Sequence, residues 1–300
     1  MTGIILFAIA FLCLFMGYSV AFTFAGVSVL VGVIVLGPEL FAFMPYRIMS
    51  IMENTTLMAI PMFVYMGIVL QKTGLAERLL ESSAKLFGSI AGGVAVSTII
   101  VGSLLAASTG VVGASVVAMG VISLSVMLKN NYHQPTAAGG IGAAGTLGQI
   151  IPPSIILIIL GDVMGVPVGD LFRAAVIPGM LLIIVYTIYI LVLGKIKPEF
   201  CPPMVVTEGK RELLIQAAKD IFPPIILIVT VLGSIFTGVA TPTESSAIGA
   251  VGAVILSIIY GGFSLPKLNE VSKETVKVTS MIFAVLIGAT AFSMVFSYSG

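Results

Sequence analysis

Apolar residues dominate this chain in long runs separated by short polar clusters. Charge-free stretches cover residues 1–38, 86–128, 130–161, 174–194, 221–243, 245–266 and 278–300. Each is longer than the roughly 20 residues that cross a hydrocarbon core of about 30 Å. Breaks at glycine, proline and charged clusters predict helices near residues 3–17, 19–36, 56–70, 136–161, 174–193, 222–239, 242–260 and 279–296. These are the candidate crossings. The stretch 89–128 is different, because Ala107-Ser108-Thr109-Gly110 and Gly113-Ala114-Ser115 interrupt it midway. Small polar residues there predict a re-entrant hairpin whose tip faces a cavity, since non-helical backbone at membrane depth needs protein or water to satisfy it.

Composition sharpens this pattern. Of 300 residues, 58% are hydrophobic and 9% charged, against about 25% charged in soluble domains. Mean hydropathy is +1.19. A soluble fold is excluded, and a net charge of +1 gives no basic face for nucleic acid. The start Met1-Thr2-Gly3-Ile4 lacks a basic n-region and leads into an apolar run too long for a signal peptide, so a retained first helix is expected. Cys13 lies in the first apolar run and Cys201 in a polar loop, a poor basis for a disulfide or metal pair.

Charge also predicts orientation. With the N-terminus outside and a hairpin that does not cross, only Arg47 and Arg173 fall outside and every other lysine and arginine falls inside. Counting the hairpin as a crossing weakens that bias.

The chain carries traces of an internal repeat. Ile4-Ile5-Leu6 before Gly17 matches Ile225-Ile226-Leu227 before Gly238, and Thr55-Thr56-Leu57-Met58 before Gly74 matches Thr279-Ser280-Met281-Ile282 before Gly300. Five crossings separate the two starts, so the second unit is inverted, the plan of secondary transporters with alternating access. The expected layout has a first repeat over 1–200: scaffold helices 1–70, an interfacial arm 71–88, the re-entrant hairpin 89–128, a broken helix 136–161 and a helix 174–194. A cytoplasmic linker at 201–220 precedes the start of a second repeat at 221–300. A complete second repeat extends to roughly residue 420, so the sequence reads as the N-terminal portion of a longer protein. The fold class is an all-α polytopic membrane protein.

Chemistry concentrates in Ala137-Ala138-Gly139-Gly140-Ile141-Gly142-Ala143-Ala144-Gly145-Thr146-Leu147-Gly148-Gln149-Ile150-Ile151-Pro152-Pro153-Ser154. Tandem prolines remove two backbone donors and disfavour helix just before them. One reading is a glycine-packed, proline-kinked helix. The other is a discontinuous helix whose freed carbonyls and half-helix ends suit sodium and a carboxylate. No basic residue lies between Lys85 and Lys129 or between Lys129 and Arg173, so an anion here is held by hydroxyls and backbone amides and not by an arginine clamp. Glu244 reads either as a first-turn carboxylate capped by Thr241 or Thr243, or as an intramembrane acid relay. His133 lies in a polar loop and reads as a solvated interfacial residue. No His-Glu-x-x-His pair or intramembrane histidine partner is present, which argues against an enzyme. A channel, another sodium- or proton-coupled anion symporter, and a non-transporting scaffold subunit stay open.

Three segments carry a resemblance: Gly148-Gln149-Ile150-Ile151-Pro152-Pro153-Ser154, Phe236-Thr237-Gly238-Val239-Ala240-Thr241-Pro242-Thr243-Glu244, and Ile60-Pro61-Met62-Phe63 with Gly67 and Gly74. They resemble the large membrane subunit of tripartite ATP-independent periplasmic (TRAP) transporters, and the likeness runs over the whole chain. The family often has a Ser-Gly-Ser-type hairpin tip, where this chain has Ser108-Thr109-Gly110-Val111-Val112-Gly113-Ala114-Ser115. The resemblance implies a sodium-driven elevator in the bacterial inner membrane with a periplasmic N-terminus. It implies a small four-helix membrane subunit and a periplasmic binding protein as partners, and an organic acid as substrate. Sodium is then the coupling ion, with no other cofactor or metal. By position, Ser108, Thr109 and Gly110 with Gly145, Thr146, Gly148, Pro152 and Pro153 form the first sodium site and one wall of the substrate site, with Ser115 and Ser154 beside them.

Overall fold

The computed structural model describes residues 2–109, 112–204 and 209–299. Every regular element among them is helical: α1 (Thr2–Phe15), α2 (Val20–Leu36), α3 (Met44–Met52), α4 (Ala59–Lys72), α5 (Leu75–Phe87), α6 (Gly93–Thr109), α7 (Val112–Met119), α8 (Ser125–Lys129), α9 (Gln134–Leu147), α10 (Ile155–Met164), α11 (Val168–Ile196), α12 (Lys210–Phe236), α13 (Pro242–Ile259) and α14 (Leu265–Tyr298), with a short 3-10 helix at Pro38–Phe43 and a π-helical turn at Gly120–Leu124. Packing divides the chain into two units, Met1–Thr55 with Val276–Gly300, and Thr56–Thr275.

Among the described residues, α11, α12, α13 and α14 are each long and apolar enough to cross a membrane, and α4 and α5, bent by 61°, reach that length only when taken together. The expected crossings at 3–17 and 19–36 are shorter helices of 14 and 17 residues. Gly17 and Gly37, at φ +89° and +85°, end them. The broken helix expected at 136–161 is the pair α9 and α10.

In the first unit, Leu6 and Ala10 of α1, Val27 of α2 and Val295 of α14 form a buried core. Gly32 allows the approach, since a Cβ there would lie 2.8 Å from the Phe41 ring and 2.9 Å from Val295.

In the second unit the core runs through Leu79 and Leu80 of α5, Ile99 of α6, Met127 of α8, Ile141 of α9 and Ile190 of α11. The helix α5 is amphipathic, with Leu75, Leu79 and Leu80 buried and Glu77, Arg78 and Glu81 outward. It leaves α4 at 61°, and Gly74 at φ +77° makes the bend, a conformation that costs a residue with a Cβ far more than it costs glycine. Gly262 packs into the elbow, where a Cβ would meet the Thr73 carbonyl at 2.3 Å. Lys72, just before the bend, pairs with Glu270 (2.8 Å) and Glu274 (3.1 Å) of α14. Ser82 of α5 donates to the Asp220 carboxylate of α12, and Tyr260 donates to the Lys219 carbonyl.

Candidate functional site

The break between α9 and α10 follows from backbone donors. In a continuous helix the N–H groups of residues 152 and 153 would bond the carbonyls of Gly148 and Gln149. Both positions are proline and have no N–H. The chain leaves the helix there, with Pro152, Pro153 and Ser154 buried and a cis peptide between the prolines. The Ser154 hydroxyl donates to the Gln149 carbonyl at 2.5 Å, replacing the missing Pro153 donor. Ser154 is also the N-cap of α10, accepting from the Leu157 N–H at 3.5 Å. Among the described residues no donor replaces Pro152 at the buried Gly148 carbonyl. Ile151 is held from the other side by Gly179 of α11, where a Cβ would lie 2.9 Å from Ile151 Cγ1.

Helices α6 and α9 run side by side in the same direction. They begin together, since the Tyr132 phenol lies by the backbone N–H groups of Gly92, Val94 and Ala95. Further along, a Cβ on Gly102 would lie 2.8 Å from Ala144 Cβ. The remaining turns of α6 rise about 10 Å beyond Gly102, towards the level of the break. The next helix, α7, returns along α9 with Val116 against Gly145 and Met119 against Gly102, and α8 ends at Lys129 beside the start of α9. The segments therefore form an antiparallel helical pair laid against α9.

The candidate residues divide by surroundings. Gly145 is a packing position: a Cβ would lie 2.2 Å from Val116 Cγ2. Thr146 is exposed and donates to the Ala143 carbonyl at 2.9 Å. Ser115 is buried on a different side of α7, lining a small cavity with Gly67 and Gln71 of α4. Gly110 lies outside the described residues, and of Ser108 and Thr109 only the helical backbone is described. The break therefore gathers Gly148, Pro152, Pro153 and Ser154, whereas Ser115 belongs with Gln71, a neighbour no spacing in the sequence reveals.

Away from the break, Thr241 caps α13 in a reciprocal box. Its hydroxyl accepts from the Glu244 N–H (3.3 Å), while a Glu244 carboxylate oxygen accepts from the Thr241 N–H (2.8 Å). His133 stacks on Phe200 with ring centroids 4.3 Å apart, and its backbone N–H donates to the Phe200 carbonyl at 3.1 Å. That loop also buries Cys201, whose carbonyl accepts from Gly92 N–H at 2.9 Å. Burial pushes the Cys201 thiol pKa up, and burial with the nearby Cys201 pushes the Tyr132 phenol up to about 12. A cleft of about 630 Å3 lies on another face of α9, lined by Ile99, Thr136, Gly139, Gly140, Tyr186 and Tyr189. It is mostly apolar and does not include the break.

Residues 7–300 match the family model described as the tripartite ATP-independent periplasmic transporter, DctM component. The chain belongs to the DctM family. Similar relatives include the C4-dicarboxylate TRAP transporter large permease protein DctM of Pseudomonas aeruginosa, 32% identical over 90% of this chain and 62% of the relative. The sialic acid TRAP transporter large permease protein SiaM of Vibrio cholerae is 29% identical over 81% of the chain and 56% of its own length. The ectoine TRAP transporter large permease protein TeaC of Halomonas elongata is 28% identical over 84% and 58%. This DctM-family chain thus spans less than two thirds of the length of these relatives.

Proposed function

We propose that the chain is part of a sodium-coupled, binding-protein-dependent TRAP permease that imports an organic acid across the bacterial inner membrane by an elevator motion. Family membership and the apolar spans support the permease reading. The relatives' names carry C4-dicarboxylate, sialic acid and ectoine, and an organic acid of this range is the substrate. Its partners are a small four-helix membrane subunit and a periplasmic solute-binding protein.

The observation that carries the sodium reading is the buried Gly148 carbonyl, left without a donor by Pro152. A carbonyl oxygen is a hard ligand suited to sodium, and unwound backbone at a half-helix end is where such carriers hold their coupling ion. The bound ion supplies positive charge beside the pocket. The chain's own groups do the rest: the Gly148 carbonyl faces the ion, Ser154 holds both sides of the break in register, and the N-terminus of α10 presents the positive end of its dipole to a carboxylate. The end of the hairpin at Ser108, Thr109 and Gly110 completes the pocket, so that sodium and substrate raise each other's affinity by linkage. Glu244 serves as the partner of the Thr241 cap at the start of α13.

The test is uptake by the full-length permease with its small subunit and binding protein, carrying Ser108→Ala or Gly148→Leu. Either change is expected to weaken sodium-dependent uptake at least tenfold. Unchanged uptake with unchanged sodium affinity overturns the assignment.

A further inference from the structure

A cleft of about 500 Å3 lies within the first unit, remote in sequence from the break, between one face of α3 and the last turns of α14. One wall is a helical stripe: Phe43, immediately before α3, and Tyr46, Arg47, Ser50 and Ile51 of α3 follow the i, i+3, i+4, i+7, i+8 spacing that places side chains on one face. The opposite wall includes Met294 and Tyr298 of α14. Arg47, Tyr46, Ser50 and Tyr298 supply a guanidinium and three hydroxyl groups, and no carboxylate lines the cleft among the described residues. The two acids of residues 1–55, Glu39 and Glu53, are not in the lining, and 278–300 carries none. A guanidinium with hydroxyl donors and no counter-ion is built for an anion, and its planar fork matches phosphate oxygens.

Apolar surface beside the cation decides what kind of anion. In the cleft wall itself, Phe43 is exposed at 63%, and Tyr46 and Tyr298 are exposed at 80% and 61%. Tyrosine and arginine beside exposed apolar side chains match the boundary between acyl chains and headgroups. A soluble anion has no use for that apolar flank. We propose that the Arg47 cleft binds the phosphodiester headgroup of a membrane phospholipid, with an acyl chain lying against the exposed rings of Phe43 and Tyr46. The inference rests on the membrane-permease reading and not on the sodium site.

The test is native mass spectrometry of the full-length permease released from nanodiscs containing phosphatidylglycerol, with diacylglycerol as the phosphate-free control. The wild type is expected to retain phosphatidylglycerol and not diacylglycerol, and Arg47→Ala to lower retention about tenfold. Arg173→Ala, which removes an exposed arginine elsewhere, is expected to leave it unchanged. Equal retention by wild type and Arg47→Ala overturns the proposal, as does displacement of the lipid by millimolar inorganic phosphate or occupation of the cleft by a carboxylate of a partner protein. Sodium-dependent uptake, measured on the same preparations, separates failure of this site from failure of the transport reading.

Discussion

Ser154 donates its hydroxyl to the carbonyl of Gln149 at 2.5 Å, so a side chain makes across the helix break the bond that Pro153 cannot. The same oxygen caps α10. One residue thus fixes both edges of the unwound segment. Replacing it with alanine leaves a half-buried carbonyl unsatisfied and removes an N-cap, an expected loss of about 1–3 kcal/mol. Thermal unfolding of Ser154→Ala measures it. Ser154→Thr retains most of the stability, and an unchanged melting temperature for the alanine variant contradicts the staple.

Gly145 is fixed by packing. A Cβ at 2.2 Å from Val116 Cγ2 cannot be accommodated without moving α7 away from α9. Gly145→Ala is expected to destabilise by about 1–3 kcal/mol, and Val116→Ala in the same chain to restore much of that loss. A double-mutant cycle without coupling rejects this contact.

The Lys72 pair with Glu270 and Glu274 is partly exposed. Pairs of this kind contribute at most about 1 kcal/mol and weaken with salt. Lys72→Ala is expected to shift stability by no more than that, and the difference from wild type to shrink in high salt. A larger, salt-independent loss points to a role beyond charge pairing.

The loop holding Tyr132 and Cys201 predicts an alkaline response. Both acids are pushed above their ordinary values, Tyr132 to about 12. Their neutral forms therefore stabilise the fold fully below about pH 9, and that contribution fades as pH rises through the ordinary values towards 12. The Tyr132 hydroxyl is buried near the N–H groups of Gly92, Val94 and Ala95, and among the described residues it donates no hydrogen bond. Tyr132→Phe is expected to be neutral or slightly stabilising at pH 7 and to flatten the loss of stability above pH 9. An identical alkaline slope in the variant contradicts this account. Alkylation of Cys201 at pH 8 is expected to be slow until the chain unfolds.

Much of the helical layout is legible in the sequence, because apolar runs and glycine or proline punctuation act locally. Pro152-Pro153 announces the break without any knowledge of neighbours, and Thr241-Pro242-Thr243-Glu244 spells a capping box. What the sequence hides is tertiary. Nothing in the spacing of Lys72 and Glu270 pairs them, nor does Ser115 reveal Gln71 beside it. Gly145 reads equally as a flexible residue and as a contact point until Val116 is seen against it.

The most direct test of the central claim is the initial rate of organic-acid uptake by the full-length permease, reconstituted with its small subunit and binding protein, as external sodium is varied against potassium or choline. The account predicts a saturable rise with sodium and negligible uptake without a sodium gradient. Equal uptake in potassium or choline contradicts it.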